Sequence, residues 1–274
     1  MVDRMPWPPP ANAWWAQEAR RLHEAERVVG EVALLSRRRR GVTLEDAYRV
    51  QQYGVALRMQ QDAQVVGHKV GLTSQAMQRQ VGISEPDSGV LLDTMAVVNG
   101  GTVALDRLRA PRVEAEIAFI IGDQDTNGAQ GGARDGGRGG SVPGVAGVCL
   151  ALEVIDSRFE LDQITLADSV ADNAGCARFV LGDVRPAAGL DLRGEEITLT
   201  VAGRAVERGR GEAILGDPFR SLVWLTRRLA DLGLPLRPGQ VVLAGAVHAS
   251  VPLRRGQTVA AWSAHLGRVA LDAA

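Results

Sequence analysis

The chain has 274 residues, 46% of them hydrophobic and 23% charged, with a formal net charge of -1. That apolar fraction supplies a sizeable core and excludes wholesale disorder. The near-neutral charge argues against nucleic acid or an anionic membrane surface as the main partner. Two cysteines, Cys149 and Cys176, are too few for a disulfide framework or a cysteine zinc site, and in apolar sequence each is read as a space-filling thiol. No apolar run reaches the roughly 18 residues of a membrane span, and the N-terminus lacks a basic then apolar leader pattern, so a cytoplasmic globular protein is expected.

Taken in chain order, residues 1–11 carry Trp7, Pro8, Pro9 and Pro10 and read as a flexible arm. Helical periodicity follows over 13–35, ending in Arg37, Arg38, Arg39, Arg40 and Gly41, a basic last turn with a glycine stop. Thr43 with Asp46 three residues on is a capping-box signal for a second helix, with Ala47, Val50 and Leu57 facing inward. Residues 1–64 are therefore expected to form a helical N-terminal segment with a disordered start.

Beyond 64 the pattern changes to short β-like runs at 65–70, 90–92, 113–121, 148–155, 178–182, 197–201, 240–243, 258–262 and 269–271. Helical spacing returns at 75–81, 164–172 and 218–232, the last with Asp217 as N-cap, Pro218 at its first position and Gly233 past its end. Strands and helices do not alternate singly, which disfavours a doubly wound fold. Residues 123–147 are rich in Gly, Arg, Asp and Asn and read as a flexible insertion between two strands.

Chemistry concentrates in four segments. In the run from Arg112 to Ile121, alternation places Val113, Ala115, Ile117, Phe119 and Ile121 on one face and Glu114, Glu116, Ala118 and Ile120 on the other. Carboxylates at i and i+2, ~7 Å apart, repel unless a cation or proton lies between them. The apolar continuation of their face points to a partly buried pocket, the alternative being two solvated glutamates on a half-exposed strand. Glu153 interrupts a second apolar strand, an expensive place for an unpaired carboxylate. Three carboxylates on neighbouring strands would make an all-oxygen site suited to Mg2+ or Mn2+ rather than zinc. Asp156 is expected to face away and pair with an arginine such as Arg158. His68, His248 and His265 lack metal-ligand spacing and read as structural.

The third segment runs from Gly67 through His68, Lys69, Val70, Gly71 and Leu72 to Ser74. Lys69 is the only lysine among 31 basic residues; it is either a chance survivor of an arginine bias or a place that needs a compact ammonium, which arginine cannot replace. Nearby Asp87, in a Pro-Asp-x-Gly sequence, reads by itself as a turn residue, and Glu85 is a second acid candidate whose expected place is the surface. The fourth, from Ala171 through Asp172 and Asn173 to Cys176, reads by itself as a helix-to-strand connection.

Together, Gly-His-Lys-Val-Gly-Leu-Thr-Ser, Pro-Arg-Val-Glu-x-Glu, Leu-Glu-x-Ile-Asp-Ser-Arg and Ala-Asp-Asn-Ala resemble the 2-keto-4-pentenoate hydratase and 4-oxalocrotonate decarboxylase family of the fumarylacetoacetate hydrolase superfamily. The likeness runs from about residue 43 to the C-terminus, interrupted by the 123–147 insertion. It implies an α+β fold, with a mainly β catalytic domain over 65–274 whose mixed sheets roll around the site. By position it implies Glu114, Glu116 and Glu153 as ligands of Mg2+ or Mn2+, Lys69 and Asp87 as catalytic groups, and Leu72 and Gly175 as substrate-binding positions. The substrate implied is a small 2-hydroxy-2,4-dienoate from ring catabolism, hydrated to a 4-hydroxy-2-oxo acid, with Lys69 lowered in pKa by the dication. A homo-oligomer, associated with a sister pathway enzyme, is also implied.

Gly175 and Ala246 depart from the family, where many members carry serine. Alternatives are decarboxylation of a 4-oxalocrotonate-type 2-oxo-3-enedioate and a catalytically silent partner subunit. C–C hydrolysis would want a His-Glu pair to activate water, and none is evident in the sequence.

Overall fold

The computed structural model describes residues 13–123, 144–159 and 163–274. The expected N-terminal arm and most of the glycine-rich insertion lie outside the described residues. Helix α1 (Trp14–Arg27) is followed by a short α2 (Leu35–Arg38) and by α3 (Leu44–Met59). The continuous helix expected over 13–35 is thus two helices. Val29 takes a left-handed φ of 55°, Val29 N–H donates to Glu26 O at 3.3 Å, and Gly30 N–H donates to Ala25 O at 2.7 Å. That pair of bonds closes a Schellman turn, an ending whose left-handed residue is usually glycine, so a valine there hid it from the sequence. Thr43 and Asp46 form the expected capping box of α3.

The strands are β1 (Val65–Gly71), β2 (Asp87–Leu92), β3 (Ala96–Val97), β4 (Gly101–Val103), β5 (Arg112–Ile121), β6 (Val145–Ile155), β7 (Cys176–Leu181), β8 (Glu196–Val201), β9 (Arg204–Arg210), β10 (Val241–Ala246), β11 (Val251–Pro252), β12 (Thr258–Ser263) and β13 (Gly267–Ala273). Helices α4 (Gln75–Val81), α5 (Leu166–Ala171) and α6 (Pro218–Asp231) are interspersed. Among the described residues an eight-stranded sheet has the order β2-β1-β10-β5-β6-β7-β3, with β11 also paired to β5. A five-stranded sheet has the order β4-β13-β12-β8-β9. Both parallel and antiparallel pairs occur, so the fold is α+β with mixed sheets, as expected.

The alternation of β5 positions the site. Val113, Ala115, Ile117, Phe119 and Ile121 pack in the main core, together with residues of the second sheet and of α6. Asp217 caps α6 by accepting from Phe219 N–H, and Ser221 on that helix donates to Ala244 O on β10. On the opposite face Ala118 joins a second cluster with Cys149, Ala151, Cys176 and Phe179. The helices α1, α3 and α5 share a third cluster that includes Phe159 and Ile164.

The sequence pattern does not predict strand β9, because its Arg-rich sequence lacks an apolar alternation. It lies at a sheet edge, where charge guards against further pairing, and Ala202 and Gly203 turn the chain into it with φ of 49° and 76°.

Candidate active site

Glu114 on β5 lies directly opposite Glu153 on β6, and Glu116 pairs with Ala151 two residues along the same ladder. Each of the three carboxyl groups offers an oxygen within 4.8 Å of the others. All three side chains are buried, Glu116 and Glu153 completely. Glu116 Oε2 accepts Gly245 N–H at 2.7 Å. Among the described residues, nothing donates a hydrogen bond to Glu114 Oε1, Glu116 Oε1 or either oxygen of Glu153. Buried carboxylate oxygens are normally satisfied, and four orphans aimed at one another fit a hard divalent cation held by oxygen donors. The solvated alternative for these glutamates does not hold.

Lys69 reaches this cluster from β1, its Nζ lying 3.3 Å from Glu153 Oε1. Three strand-to-strand steps separate β1 from β6 in the sheet, ~14 Å on a flat surface. The contact therefore requires the sheet to curl. A register shift in β10 between Leu243 and Ala246 supplies a local bend, with Gly245 at a φ of 117°. A Cβ on Gly245 would lie 1.9 Å from Thr73 Oγ1, so only glycine fits that bend.

Asp87 begins β2 and pairs with Gly71 across the β1 ladder. It is a buried strand residue and not the surface turn that its Pro-Asp-x-Gly context predicts, because Ser169 on α5 donates to its Oδ2 and β1 pairs with it at Gly71. A Cβ at Gly71 would come within 2.2 Å of Asp87 Oδ1. Leu72 follows with a left-handed φ of 59°, and Gly175 has a φ of 68°. Lys69, Leu72, Asp87, Glu114 and Gly175 all line one pocket, with Glu116 and Glu153 buried beside it. Glu85 is exposed, as its surface reading predicts.

The electrostatics follow from this crowding. Burial, then the Glu153 charge, pushes Glu114 up to about 8. Glu116 is raised well above the usual carboxylate range by burial and by both neighbouring glutamates. Asp87 is raised by burial, against the pull of Lys69. For Lys69 burial favours the neutral amine, but Glu153, Asp87, Cys176 and Glu114 outweigh it and hold the ammonium above its ordinary range. The lowered lysine expected beside a dication is not what the protein chain alone produces, since anions surround it.

One further correction concerns a neighbour of the site. Asp156 does not pair with Arg158; its carboxylate accepts Arg109 N–H at 3.0 Å and Ala110 N–H at 2.8 Å. Arg158 instead forms a buried ion pair with Asp172, which also accepts Arg158 N–H at 2.9 Å. Cys149 fills apolar core as expected; Cys176 packs in the same apolar cluster and also borders the buried Glu153 charge. A register shift between Val154 and Ile155 turns it to that side.

The connection after α5 is also more than a linker. Asn173, Ala174 and Gly175 all have left-handed φ, and Asn173 bonds both the N–H and the C=O of Val90 at 2.8 and 2.9 Å. The Asp172 pair and the Asn173 clamp fix this pocket floor. Residue type alone carries no signal for either, because both depend on partners more than ten residues away.

The chain matches the fumarylacetoacetate hydrolase C-terminal family over residues 64–272. It is 39% identical over 234 residues to a 2-keto-4-pentenoate hydratase of Burkholderia vietnamiensis (strain G4), covering 85% of this chain and 87% of the relative. It is 33% identical over 233 residues to a 2-hydroxyhexa-2,4-dienoate hydratase of Comamonas testosteroni, covering 84% and 86%. Among solved structures, 4-oxalocrotonate decarboxylase from Pseudomonas putida G7, complexed with magnesium and adipate, superposes with a TM-score of 0.85 at 30% identity, over 95% of this chain and 97% of that one.

Proposed function

The chain belongs to the fumarylacetoacetate hydrolase family and is a lyase, and on that premise we propose that it hydrates a 2-hydroxy-2,4-dienoate to a 4-hydroxy-2-oxo acid in ring catabolism. The observation that carries this reading is the convergence of Glu114, Glu116 and Glu153 beside Lys69 and Asp87 in one pocket. The three glutamates would hold a divalent cation, Mg2+ or Mn2+. When bound, it supplies Lewis-acid stabilisation to the oxygen on which negative charge develops.

In this reading Asp87 takes the proton of the substrate 2-hydroxyl, and Lys69 holds the anion and returns a proton at C5. The product of that transfer is a 2-oxo-3-ene, electron-poor at C4. Water then adds, its oxygen to C4 and its proton to C3. Leu72 and Gly175, both in left-handed conformation at the pocket, are the substrate-binding positions. A homo-oligomer, associated with a sister enzyme of the same pathway, belongs to the same reading.

Decarboxylation of a 4-oxalocrotonate-type acid is the second reading, favoured by the structural likeness at a TM-score of 0.85. It uses the same ion site and lysine and releases CO2 where the first reading adds water. The test is ultraviolet loss of the dienol with and without Mg2+, in wild type, Lys69→Ala and Glu114→Ala. Turnover by wild type alone, and only with the ion, is expected. Unchanged turnover in either variant removes that residue from the mechanism. Bicarbonate release from 4-oxalocrotonate without hydration of 2-hydroxypentadienoate replaces hydratase by decarboxylase.

A further inference from the structure

Two kinds of side chain line the pocket. Lys69, Asp87 and Glu114 are charged; Met77 and Val81, one turn apart on α4, are apolar, as are Ile155 and Ile164, the last packed in one cluster with Val81. Met77 and Ile164 are buried in the chain itself. The remaining polar side chains of the lining are already engaged. Ser157 donates to Asp172 at 3.1 Å and accepts Phe159 N–H at 3.0 Å, and Ser169 donates to Asp87. Asp156, 6% exposed, is a third acidic side chain in the lining, after Asp87 and Glu114. Among the described residues Lys69 is the only cationic side chain lining the pocket. Arg158, close in sequence, is committed to Asp172, and Arg109 is spent on Ser157 O, Phe159 O and Glu31.

We infer that the wall of Met77, Val81, Ile155 and Ile164, with Asp156 beside it, selects substrates whose far end is neutral and apolar and rejects those ending in a second carboxylate. A short alkyl substituent on C5 of the dienoate gains contact with this wall as it leaves water. A terminal carboxylate would lose its hydration there, meet no free cation and lie near the Asp156 carboxylate. The inference rests on the proposed placement of the substrate's reacting end beside Lys69, and it turns the choice between the two lyase readings into a question of charge.

The test separates recognition from turnover. Calorimetric titration of the Mg2+-loaded full chain with 2-oxohexanoate and with 2-oxoadipate compares two acids of equal carbon number that differ in the terminal carboxylate. The monoacid should bind at least about tenfold more tightly. Equal affinity, tighter binding of 2-oxoadipate, or no binding of either acid overturns the inference. Val81→Arg, at the half-buried end of α4, should narrow the preference by about tenfold; because the main comparison uses wild-type protein, a variant that fails to fold does not shield the inference. If 2-oxohexanoate binds preferentially and 2-hydroxypenta-2,4-dienoate is not consumed, the proposed hydration falls and the charge selection stands.

Discussion

Glu114 and Glu153 are direct cross-strand partners, two buried carboxyl groups facing each other with Glu116 close by. Like charges at opposed positions destabilise a ladder, and here burial adds to the cost. A fold that keeps such an arrangement is held back by it until a cation is bound, which gives the site consequences measurable without substrate.

Glu116→Gln separates stability from ion binding. Burial and the two neighbouring glutamates raise Glu116 above the usual carboxylate range, so they favour its neutral form, and the amide is a neutral side chain of nearly the same shape. The metal-free Tm should move by no more than about 2 °C. The rise in Tm that Mg2+ or Mn2+ gives wild type should be lost. Differential scanning calorimetry with and without the ion reads both.

The pH dependence of the metal-free chain has a defined sign. The folded-state pKa of Glu114 is about 8 against an ordinary 4.5. The folded state therefore holds a proton that the unfolded chain has released, and stability is full below the unfolded value and declines as pH rises toward about 8. Relative to Glu114→Gln, wild type should lose Tm between about pH 5 and about pH 8, and saturating Mg2+ should reverse the loss. A flat difference across that window contradicts the burial and repulsion described above.

Asp172→Asn should be severe. It leaves the Arg158 guanidinium, 4% exposed, without its counter-charge. Breaking one side of a buried pair costs about 3–5 kcal/mol. Urea unfolding should show a lower midpoint by that amount at unchanged slope, and the pocket floor from Asn173 to Gly175 should exchange its amide hydrogens faster.

Gly71→Ala tests positioning without removing a charged group. The added Cβ collides with Asp87 Oδ1 and approaches Lys69 Nζ to 3.2 Å. Displacement of a reacting group by ~1 Å costs on the order of 100-fold in rate. The expected result is a fall in kcat with Mn2+ affinity preserved, since none of the three glutamates is moved. Equal loss of both would place the lesion in folding.

Local chemistry made much of this molecule legible. The two-residue period of β5 gave its two faces, the Thr43–Asp46 box and the Asp217-Pro218 start marked two helices, and the lone lysine pointed to Lys69. What stayed hidden depends on distant partners or on backbone shape. Val29 in a left-handed turn, the Arg-rich edge strand β9, the exchange of Asp156 for Asp172 as the partner of Arg158, and the bulge that turns Cys176 toward Glu153 are all set by tertiary contacts. Asp87 shows the limit most plainly. Its sequence neighbours describe a turn, while its role depends on Lys69 and Ser169 reaching it from β1 and α5.

Titration of the metal-free chain with Mn2+, following the free-ion signal by electron paramagnetic resonance, tests the central claim most directly. Wild type should take up a single ion per chain, and Glu153→Gln should weaken that uptake by about 100-fold or more. Uptake that is absent in wild type, or that survives unchanged in Glu153→Gln, would mean that the three buried carboxylates do not form an ion site.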